Sequence, residues 1–188
     1  MSIISLINDS EKNTIWLGSN GRATIGSFVA PSVDHKWVAI HGWLVGITGT
    51  GPKVEALKAH DDDFPKDAEH PFKVMKFMKS AYEAYDIGET DEGLKRYCGS
   101  GLLAHKSGRA WDFDNSFCLT EIPANTFWAR GSGMDIAIGA ADVLTPFVRD
   151  ARERLARALE VTIARDVDCP GEPLVQQFDR EGKLHAAV

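Results

Sequence analysis

The chain has 188 residues, of which 44% are apolar and 26% are charged, and its net charge at pH 7 is -6. This composition is ordinary for a globular protein and excludes a disordered or fibrous chain. The acidic balance argues against nucleic acid as a partner, because a phosphate backbone selects a basic face. We expect one domain over residues 1–188, since a chain of this length can bury about 70% of its unfolded surface in a single core.

Cysteine usage and the start of the chain indicate the compartment. The cysteines Cys98, Cys118 and Cys169 are odd in number and form no C-x-x-C pair, so they predict neither a disulfide framework nor a zinc knuckle. The first apolar run, Ile3–Ile7, is too short for a signal peptide, and no stretch approaches the roughly 20 apolar residues of a membrane span. We therefore expect a cytoplasmic protein that contacts no membrane.

The N-terminal part of the chain combines β-branched, apolar runs with short polar turns, which predicts antiparallel hairpins. The predicted strands are 3–7, 14–17, 36–40 and 43–47, with turns at 8–13 and at His41-Gly42. A glycine-rich loop over 18–26 separates the two hairpins.

Two helices are expected next. The first starts after Thr48, with a threonine hydroxyl as its N-cap and Pro52 in its first turn. The acidic run Asp61–Asp63 is expected to end it, and three adjacent carboxylates in a loop favour a solvated turn over a metal site. Pro71 opens a second helix, in which apolar residues recur at helical spacing over 72–85. This stripe predicts core or subunit contact rather than a cofactor pocket.

The second half of the chain again gives strands and then helices. The predicted strands are 102–105, 109–113, 117–122, 126–130 and 174–178, and the predicted helices are 134–144 and 145–163. Because strands and helices are segregated rather than alternating, the pattern favours an α+β fold with two mainly antiparallel sheets at the centre and helices outside.

A candidate site centres on the segment Gly18–Gly26, which reads GSNGRATIG. Its glycines alone would indicate only a loop between strands. The chain opens with Met1-Ser2, and Met1 is normally removed before a residue as small as serine. A terminal serine with both a hydroxyl and a free α-amino group can be nucleophile and base at once. Lys36 lies sixteen residues after Asn20, and taken alone it would indicate only a surface lysine.

Together these residues resemble the proteasome β-subunit and HslV family of N-terminal nucleophile (Ntn) hydrolases. Chains of that family begin at the nucleophile, pass through a loop of pattern GaDsRaT-G, and reach a lysine sixteen residues after the loop aspartate. Here Asn20 stands at the aspartate position, Arg22–Thr24 and Gly26 match the loop, and Lys36 has the family spacing. The resemblance implies a four-layer αββα Ntn-hydrolase sandwich that uses no cofactor and no metal.

The resemblance also implies a role for each candidate residue. Gly49 would donate its backbone N–H to the oxyanion, and Ser132, in a GSG segment, would bond near the nucleophile's amino group. Asp166 would take the place of the aspartate in an RDaxSGG segment. The catalytic set so implied is Ser2, Lys36, Asn20, Gly49, Ser132 and Asp166, and the substrate-binding set is Ala23, Thr24 and Gly49.

General chemistry explains why a serine site would need these groups. A serine hydroxyl is a poor nucleophile without a base and a nearby positive charge. The free α-amine of Ser2, with a reference pKa of about 7.7–8.0, can accept the proton at neutral pH without a histidine. Lys36 would stabilise ionisation of the hydroxyl, while the Gly49 N–H would receive the developing oxyanion.

Three departures from the family pattern bear on activity. Asn20 replaces a carboxylate and so denies Lys36 an ion-pair partner at that position. Cys169-Pro170 replaces a serine and a glycine, and Ser2 stands where most members have threonine. If the second serine of Ser-Ile-Ile-Ser-Leu is aligned with family members, Met1 sits in the nucleophile's place and the chain would be inert. Ser2 takes that place if the 8–13 turn holds two extra residues, an even number that preserves strand alternation, and we favour this register.

Three functional hypotheses remain open. The first is a self-compartmentalising peptidase, in which homo-oligomeric rings of six or seven subunits, single or stacked, enclose Ser2 sites that cleave peptides or unfolded proteins. An ATPase unfoldase is a candidate partner for such a ring. The second is a catalytically inactive ring subunit or binding shell that keeps the fold and retains Met1. The third is an Ntn amidase that acts on a small molecule.

Overall fold

The computed structural model describes residues 3–22, 24–25, 28–29, 36–49, 52–66, 68–91, 94–97 and 99–186. The strands are β1 (Ile3–Asp9), β2 (Thr14–Ser19), β3 (Thr24–Ile25), β4 (Phe28–Val29), β5 (Trp37–Ile40), β6 (Trp43–Ile47), β7 (Glu89–Asp91), β8 (Leu94–Arg96), β9 (Gly101–His105), β10 (Ala110–Phe113), β11 (Leu119–Ile122), β12 (Phe127–Gly131), β13 (Leu174–Phe178) and β14 (Leu184–Ala186). The helices are α1 (Lys53–Ala59), α2 (Pro71–Ala84), α3 (Met134–Leu144) and α4 (Ala151–Arg165).

Most of these strands belong to two five-stranded antiparallel sheets. The first sheet has the order β12-β1-β2-β13-β14, and the second has the order β11-β10-β9-β6-β5. Two short hairpins, β3-β4 and β7-β8, lie outside these sheets. The turn between β5 and β6 has φ values of 44° at His41 and 82° at Gly42, and positive φ at both central residues is the signature of a tight type I′ hairpin.

Strand β1 shows how the first sheet is buried on both of its faces. Ile4 and Leu6 point into the apolar layer between the sheets, where they meet residues such as Leu44 of β6. Ile3 and Ile7 point the other way and pack under α3 and α4. Alternate side chains of a strand face opposite sides of the sheet, so a continuous apolar run here means that both sides are covered.

The helices form the two outer layers. α1 and α2 pack on the second sheet, and α3 and α4 pack on the first, which confirms the four-layer αββα sandwich. The predicted apolar stripe of α2 is mostly core, because its Val74, Met75, Phe77, Met78, Ala81 and Tyr82 are buried. Only its two end residues, Phe72 and Tyr85, are exposed.

The start of α1 differs from the sequence prediction. The N-cap of this helix is Pro52 and makes no side-chain hydrogen bond, so the expected threonine cap was wrong. The hydroxyl of Thr48 instead donates to the carbonyl oxygen of Ser100 at 2.8 Å. That bond ties the turn after β6 to the residue before β9.

The start of α4 also differs, because this helix begins at Ala151 rather than at 145. Thr145 instead ends α3, where its hydroxyl donates to the Ala141 carbonyl oxygen at 2.8 Å. Asp150 is the N-cap of α4 and accepts a hydrogen bond from the Glu153 N–H at 2.9 Å. An N-cap aspartate followed three residues later by glutamate strongly favours the start of a helix. For α4 this signal outweighs the one from Thr145 and the proline that follows it.

The acidic run Asp61–Asp63 forms an exposed 3-10 turn between α1 and α2. Among the residues that the structure describes, no three His, Cys, Asp or Glu side chains are grouped so that they could hold a metal ion. The helices of the same described ranges are all too short or too polar to cross a bilayer.

Candidate active site

Lys36 and Asn20 meet in the interior of the protein. Lys36, directly before β5, is 3% exposed, and Asn20, directly after β2, is fully buried. The ammonium of Lys36 donates to Oδ1 of Asn20 at 2.5 Å and to the carbonyl oxygen of Arg22 at 2.6 Å. Such partners are required because a buried charge without hydrogen bonds is very costly. The sixteen-residue spacing therefore corresponds to a direct contact.

The amide of Asn20 also binds two further segments. Its Oδ1 accepts a hydrogen bond from the Ile3 N–H at 3.3 Å, and its Nδ2 donates to the carbonyl oxygen of Pro170 at 2.7 Å. A carboxylate at position 20 could accept the first bond but could not donate the second. Asn20 therefore connects Lys36 with the start of β1 and with the segment that follows α4.

Gly171 allows that segment to approach the loop. Its φ is +119°, and a Cβ at this position would lie 2.2 Å from the carbonyl oxygen of Asn20 and 2.7 Å from Cγ of Arg22. A side chain is excluded here both by the backbone conformation and by the lack of space. Glycine at position 171 is therefore a condition for the hydrogen bond between Pro170 and Asn20.

Asp166, Cys169 and Ser132 form a second cluster. The buried thiol of Cys169 donates to Oδ2 of Asp166 at 3.1 Å and lies 3.4 Å from Oγ of Ser132. Partial burial acts to raise the pKa of Asp166, but hydrogen bonds from the Asp168 N–H, the Cys169 thiol and the Ser132 hydroxyl hold this pKa below its ordinary value. Asp166 is therefore an ionised acceptor at neutral pH.

The turn after β6 carries Gly49, which has a φ of 98°. Just before it, the Ile47 N–H donates to the Lys36 carbonyl oxygen at 3.0 Å, and the Thr48 N–H donates to the Ser100 carbonyl oxygen at 2.9 Å. The predicted oxyanion turn is therefore anchored to the backbone of Lys36 on one side and to the start of β9 on the other.

The structure thus brings four of the eight predicted site residues, Lys36, Asn20, Ser132 and Asp166, into two linked clusters. Lys36 contacts Asn20, and the stretch from Asp166 to Pro170 connects that pair with Ser132. Ser2 and Ala23 lie outside the described residues. Thr24 is described through its backbone alone, in β3 opposite Val29. The catalytic and substrate-binding roles of all the candidate residues stay predictions.

Sequence reasoning treated Pro170 only as a departure from the family pattern and gave Ser100 and Gly171 no role. A signal was present for Pro170, because an amide in place of a carboxylate adds a donor that needs an acceptor when it is buried. No comparable signal marks Ser100, because only the fold brings its carbonyl oxygen and its hydroxyl to the Thr48 hydroxyl, at 2.8 Å and 3.2 Å.

No protein-family model matches this sequence, and no curated protein is significantly similar to it. Solved structures do match its fold. The structure of Thiobacillus denitrificans BPH in complex with epoxomicin has a TM-score of 0.74 and 17% identity, over 94% of this chain and 96% of that chain. Another structure of T. denitrificans BPH has a TM-score of 0.71 and 19% identity, over the same shares of the two chains.

The eukaryotic HslV from Trypanosoma brucei has a TM-score of 0.66 and 20% identity, over 94% of this chain and 98% of that chain. The chain therefore shares the four-layer αββα fold of these HslV and BPH structures. The resemblance seen in the sequence is confirmed at the level of the fold.

The two described cysteines are expected to differ sharply in reactivity. Burial raises the pKa of the Cys169 thiol to about 11, whereas Cys118 is exposed. Because the thiolate is the reactive species, iodoacetamide at pH 8 should modify Cys118 in the native protein and Cys169 only after unfolding. Peptide mass mapping of native and denatured samples tests this, and rapid native labelling of Cys169 would contradict the structure.

Asn20→Asp is expected to destabilise the protein by about 1–2 kcal/mol, the cost of a lost buried donor. The carboxylate would gain the Lys36 ammonium as a partner, but it would place an acceptor against the Pro170 carbonyl oxygen, which Asn20 Nδ2 now approaches to 2.7 Å. Urea denaturation at pH 7 measures the difference. An unchanged or raised free energy of unfolding would mean that attraction to Lys36 outweighs the bond to Pro170.

Proposed function

We propose that residues 1–188 form one Ntn-hydrolase domain whose function is peptide-bond hydrolysis by Ser2 after removal of Met1. The observation that carries this proposal is the Lys36 ammonium, which lies 2.5 Å from the Asn20 oxygen that also accepts the Ile3 N–H. Ser2 is the covalent neighbour of Ile3. A buried cation is thus held close to the start of the chain, where a terminal nucleophile would need it.

Strand pairing supports the same assignment. β1 pairs with β12, and Ile3 lies opposite Gly131. Ser2 precedes Ile3 in the sequence, and Ser132 follows Gly131. In this proposal Ser132, with the Asp166 cluster behind it, binds the α-amino group and directs its lone pair toward the Ser2 hydroxyl.

The proposed reaction runs through the Ser2 hydroxyl, its α-amine and the Gly49 N–H. The α-amine takes the proton of the Ser2 hydroxyl while Oγ attacks the substrate carbonyl carbon, and the Gly49 N–H donates to the oxyanion that forms. The protonated amine then gives its proton to the leaving amine as the peptide C–N bond breaks. Water hydrolyses the acyl ester by the same sequence of proton transfers. Ala23 and Thr24 would bind the substrate beside the site.

The substrates proposed are peptides and unfolded segments. The T. denitrificans BPH structure with epoxomicin shows that a protein of this fold binds that compound. For this chain the same kind of electrophile is a suitable probe, because it needs a hydroxyl and a free α-amine on one residue.

Ser2→Ala should lower kcat/KM for fluorogenic peptides by at least about 10³-fold, as expected for loss of a nucleophile. Ser5→Ala is the matched control and should leave activity unchanged, since Ser5 lies fully buried in β1. Intact-mass measurement of the wild type should show that Met1 is absent. Peptidase activity that persists in Ser2→Ala would refute the assignment, and an inactive protein that retains Met1 would favour the binding-shell hypothesis.

Assembly into closed homo-oligomeric rings is part of this proposal, and α3 is its best candidate contact. This helix buries only Ala137 and Ala141, while Val143 is 69% exposed and Phe147, just beyond the helix, is 81% exposed. Clustered apolar exposure of this kind is typical of an interaction surface. In the proposed ring, this apolar surface is covered by a second copy of the chain.

Val143→Glu is expected to shift the assembly toward smaller species by at least about tenfold in dissociation constant, because a carboxylate would be buried at the contact. Val167→Glu is the matched control, since Val167 is 93% exposed and lies outside α3. Analytical ultracentrifugation of the three proteins decides the question. A monomeric wild type, or equal effects of the two substitutions, would contradict the proposed contact.

A further inference from the structure

Lys53 is a buried lysine in an unusual place. It is the first residue of α1 and is only 3% exposed. A cation at a helix N-terminus is disfavoured by the helix dipole, and its burial adds a desolvation cost. Lys53 lies four residues after Gly49, the proposed oxyanion donor.

The position of the Lys53 ammonium follows from the space around Gly99. A Cβ built on Gly99 would lie 2.5 Å from Nζ of Lys53 and 2.5 Å from the carbonyl oxygen of Thr48. Nζ of Lys53 and the carbonyl oxygen of Thr48 are therefore at most twice 2.5 Å apart. The φ of Gly99, +134°, together with its missing side chain, opens the space in which they lie.

We infer that Lys53 is a positioning residue of the oxyanion hole, which acts by polarising the peptide between Thr48 and Gly49. The inference rests on the proposed function. The carbonyl oxygen of this peptide lies within twice 2.5 Å of Lys53 Nζ, and its nitrogen carries the Gly49 N–H. The same peptide is held in place by the bonds from the Thr48 N–H and hydroxyl to the Ser100 carbonyl oxygen.

The physical basis is the electrostatics of a single peptide unit. A positive charge beside the carbonyl oxygen draws electron density toward that oxygen and makes the N–H at the other end a stronger donor. The charge also attracts the oxyanion directly, and in a buried site this attraction is screened less than in water. Both effects grow as negative charge develops, so they favour the transition state over the bound substrate.

A peptide boronic acid tests this without turnover. Ser2 Oγ would add to the trigonal boron, the hydroxyl proton would pass to the α-amine, and the tetrahedral boronate would carry the negative charge of the oxyanion. Lys53→Met and Lys53→Gln should each weaken boronate binding by about tenfold, less than the loss of a direct oxyanion donor. The matched peptide without boron should bind all variants equally, and kcat should fall about as much as boronate affinity while KM stays constant.

Lys58→Met is the matched control, because Lys58 is an exposed lysine of the same helix and its loss should change neither affinity. Unchanged boronate binding in Lys53→Met, or an equal loss for the peptide without boron, would overturn the inference. If the wild type neither hydrolyses peptides nor binds the boronate, the proposed function fails, and a second measurement then decides the role of Lys53.

That measurement is the amide proton shift of Gly49. With carbonyl-labelled threonine and nitrogen-labelled glycine, only the Thr48-Gly49 and Thr50-Gly51 pairs give signals, and Thr50→Ser removes the second. Lys53→Met should move the Gly49 proton upfield, because the peptide is less polarised, and Lys58→Met should not. A Gly49 proton that keeps its wild-type shift would overturn the inference whether or not the protein is active.

Discussion

Replacing Lys36 with methionine is expected to lower kcat/KM for peptide hydrolysis by about 10³-fold. Lys36 holds the buried positive charge in the Lys36–Asn20 cluster, and the proposed mechanism uses this charge to stabilise the ionised Ser2 hydroxyl. Methionine has nearly the same length and can fill the same space, but it brings no charge and no donor to Asn20 Oδ1 or to the Arg22 carbonyl oxygen.

Stability should respond much less than activity to this substitution. Two acceptors lose a donor, which costs about 1–3 kcal/mol, whereas removal of a buried ammonium recovers a desolvation cost of similar size. We expect the net change in the free energy of unfolding to stay within about 1 kcal/mol. Lys58→Met, at an exposed position, is the control for lost charge. Near-wild-type activity in Lys36→Met, with its fold intact, would remove Lys36 from the mechanism.

Gly171→Ala is expected to abolish most activity and to lower the free energy of unfolding by about 2–4 kcal/mol. Alanine at this φ is strained, and its Cβ would collide with the carbonyl oxygen of Asn20, 2.2 Å away. Relief of this collision requires the segment after α4 to move away from the loop. The hydrogen bond from Asn20 to Pro170 would then break, and Lys36 would lose a fixed acceptor.

Glu172→Ala is the matched control for that substitution. Glu172 is the next residue in the same segment, and it is exposed, so its truncation should change stability by less than about 0.5 kcal/mol. Urea denaturation and peptide hydrolysis are measured on both variants. Gly171→Ala with wild-type stability would show that the close approach of the segment is not required, and the account of how Asn20 is held would be wrong.

The sequence was a good guide where one physical signal dominated. The apolar run of β1 and the His41-Gly42 turn were predicted correctly, because burial on two faces and positive φ both leave strong traces in residue type. The contact between Lys36 and Asn20 was also implied by the resemblance, since the loop and the strand that follows it set the spacing between the two residues.

The sequence was a poor guide where two signals competed. The start of α4 was predicted at Thr145 with its following proline, and Asp150 was overlooked, although Thr145 in fact ends α3. The hairpin β7-β8 and strand β14 were missed, because short strands leave too few residues for a period to be seen. Ser100 could not be found at all, since its contribution is a backbone carbonyl oxygen that only the folded sheet places beside Thr48.

The central claim is that Ser2, freed of Met1, is the nucleophile. A peptide epoxyketone tests it most directly, because such a compound closes a ring through the hydroxyl oxygen and the α-amino nitrogen of one residue. The account predicts a stoichiometric adduct on the N-terminal peptide of the wild type, unchanged labelling in Ser5→Ala, and none in Ser2→Ala. An adduct on any other residue, or labelling that survives in Ser2→Ala, would contradict it.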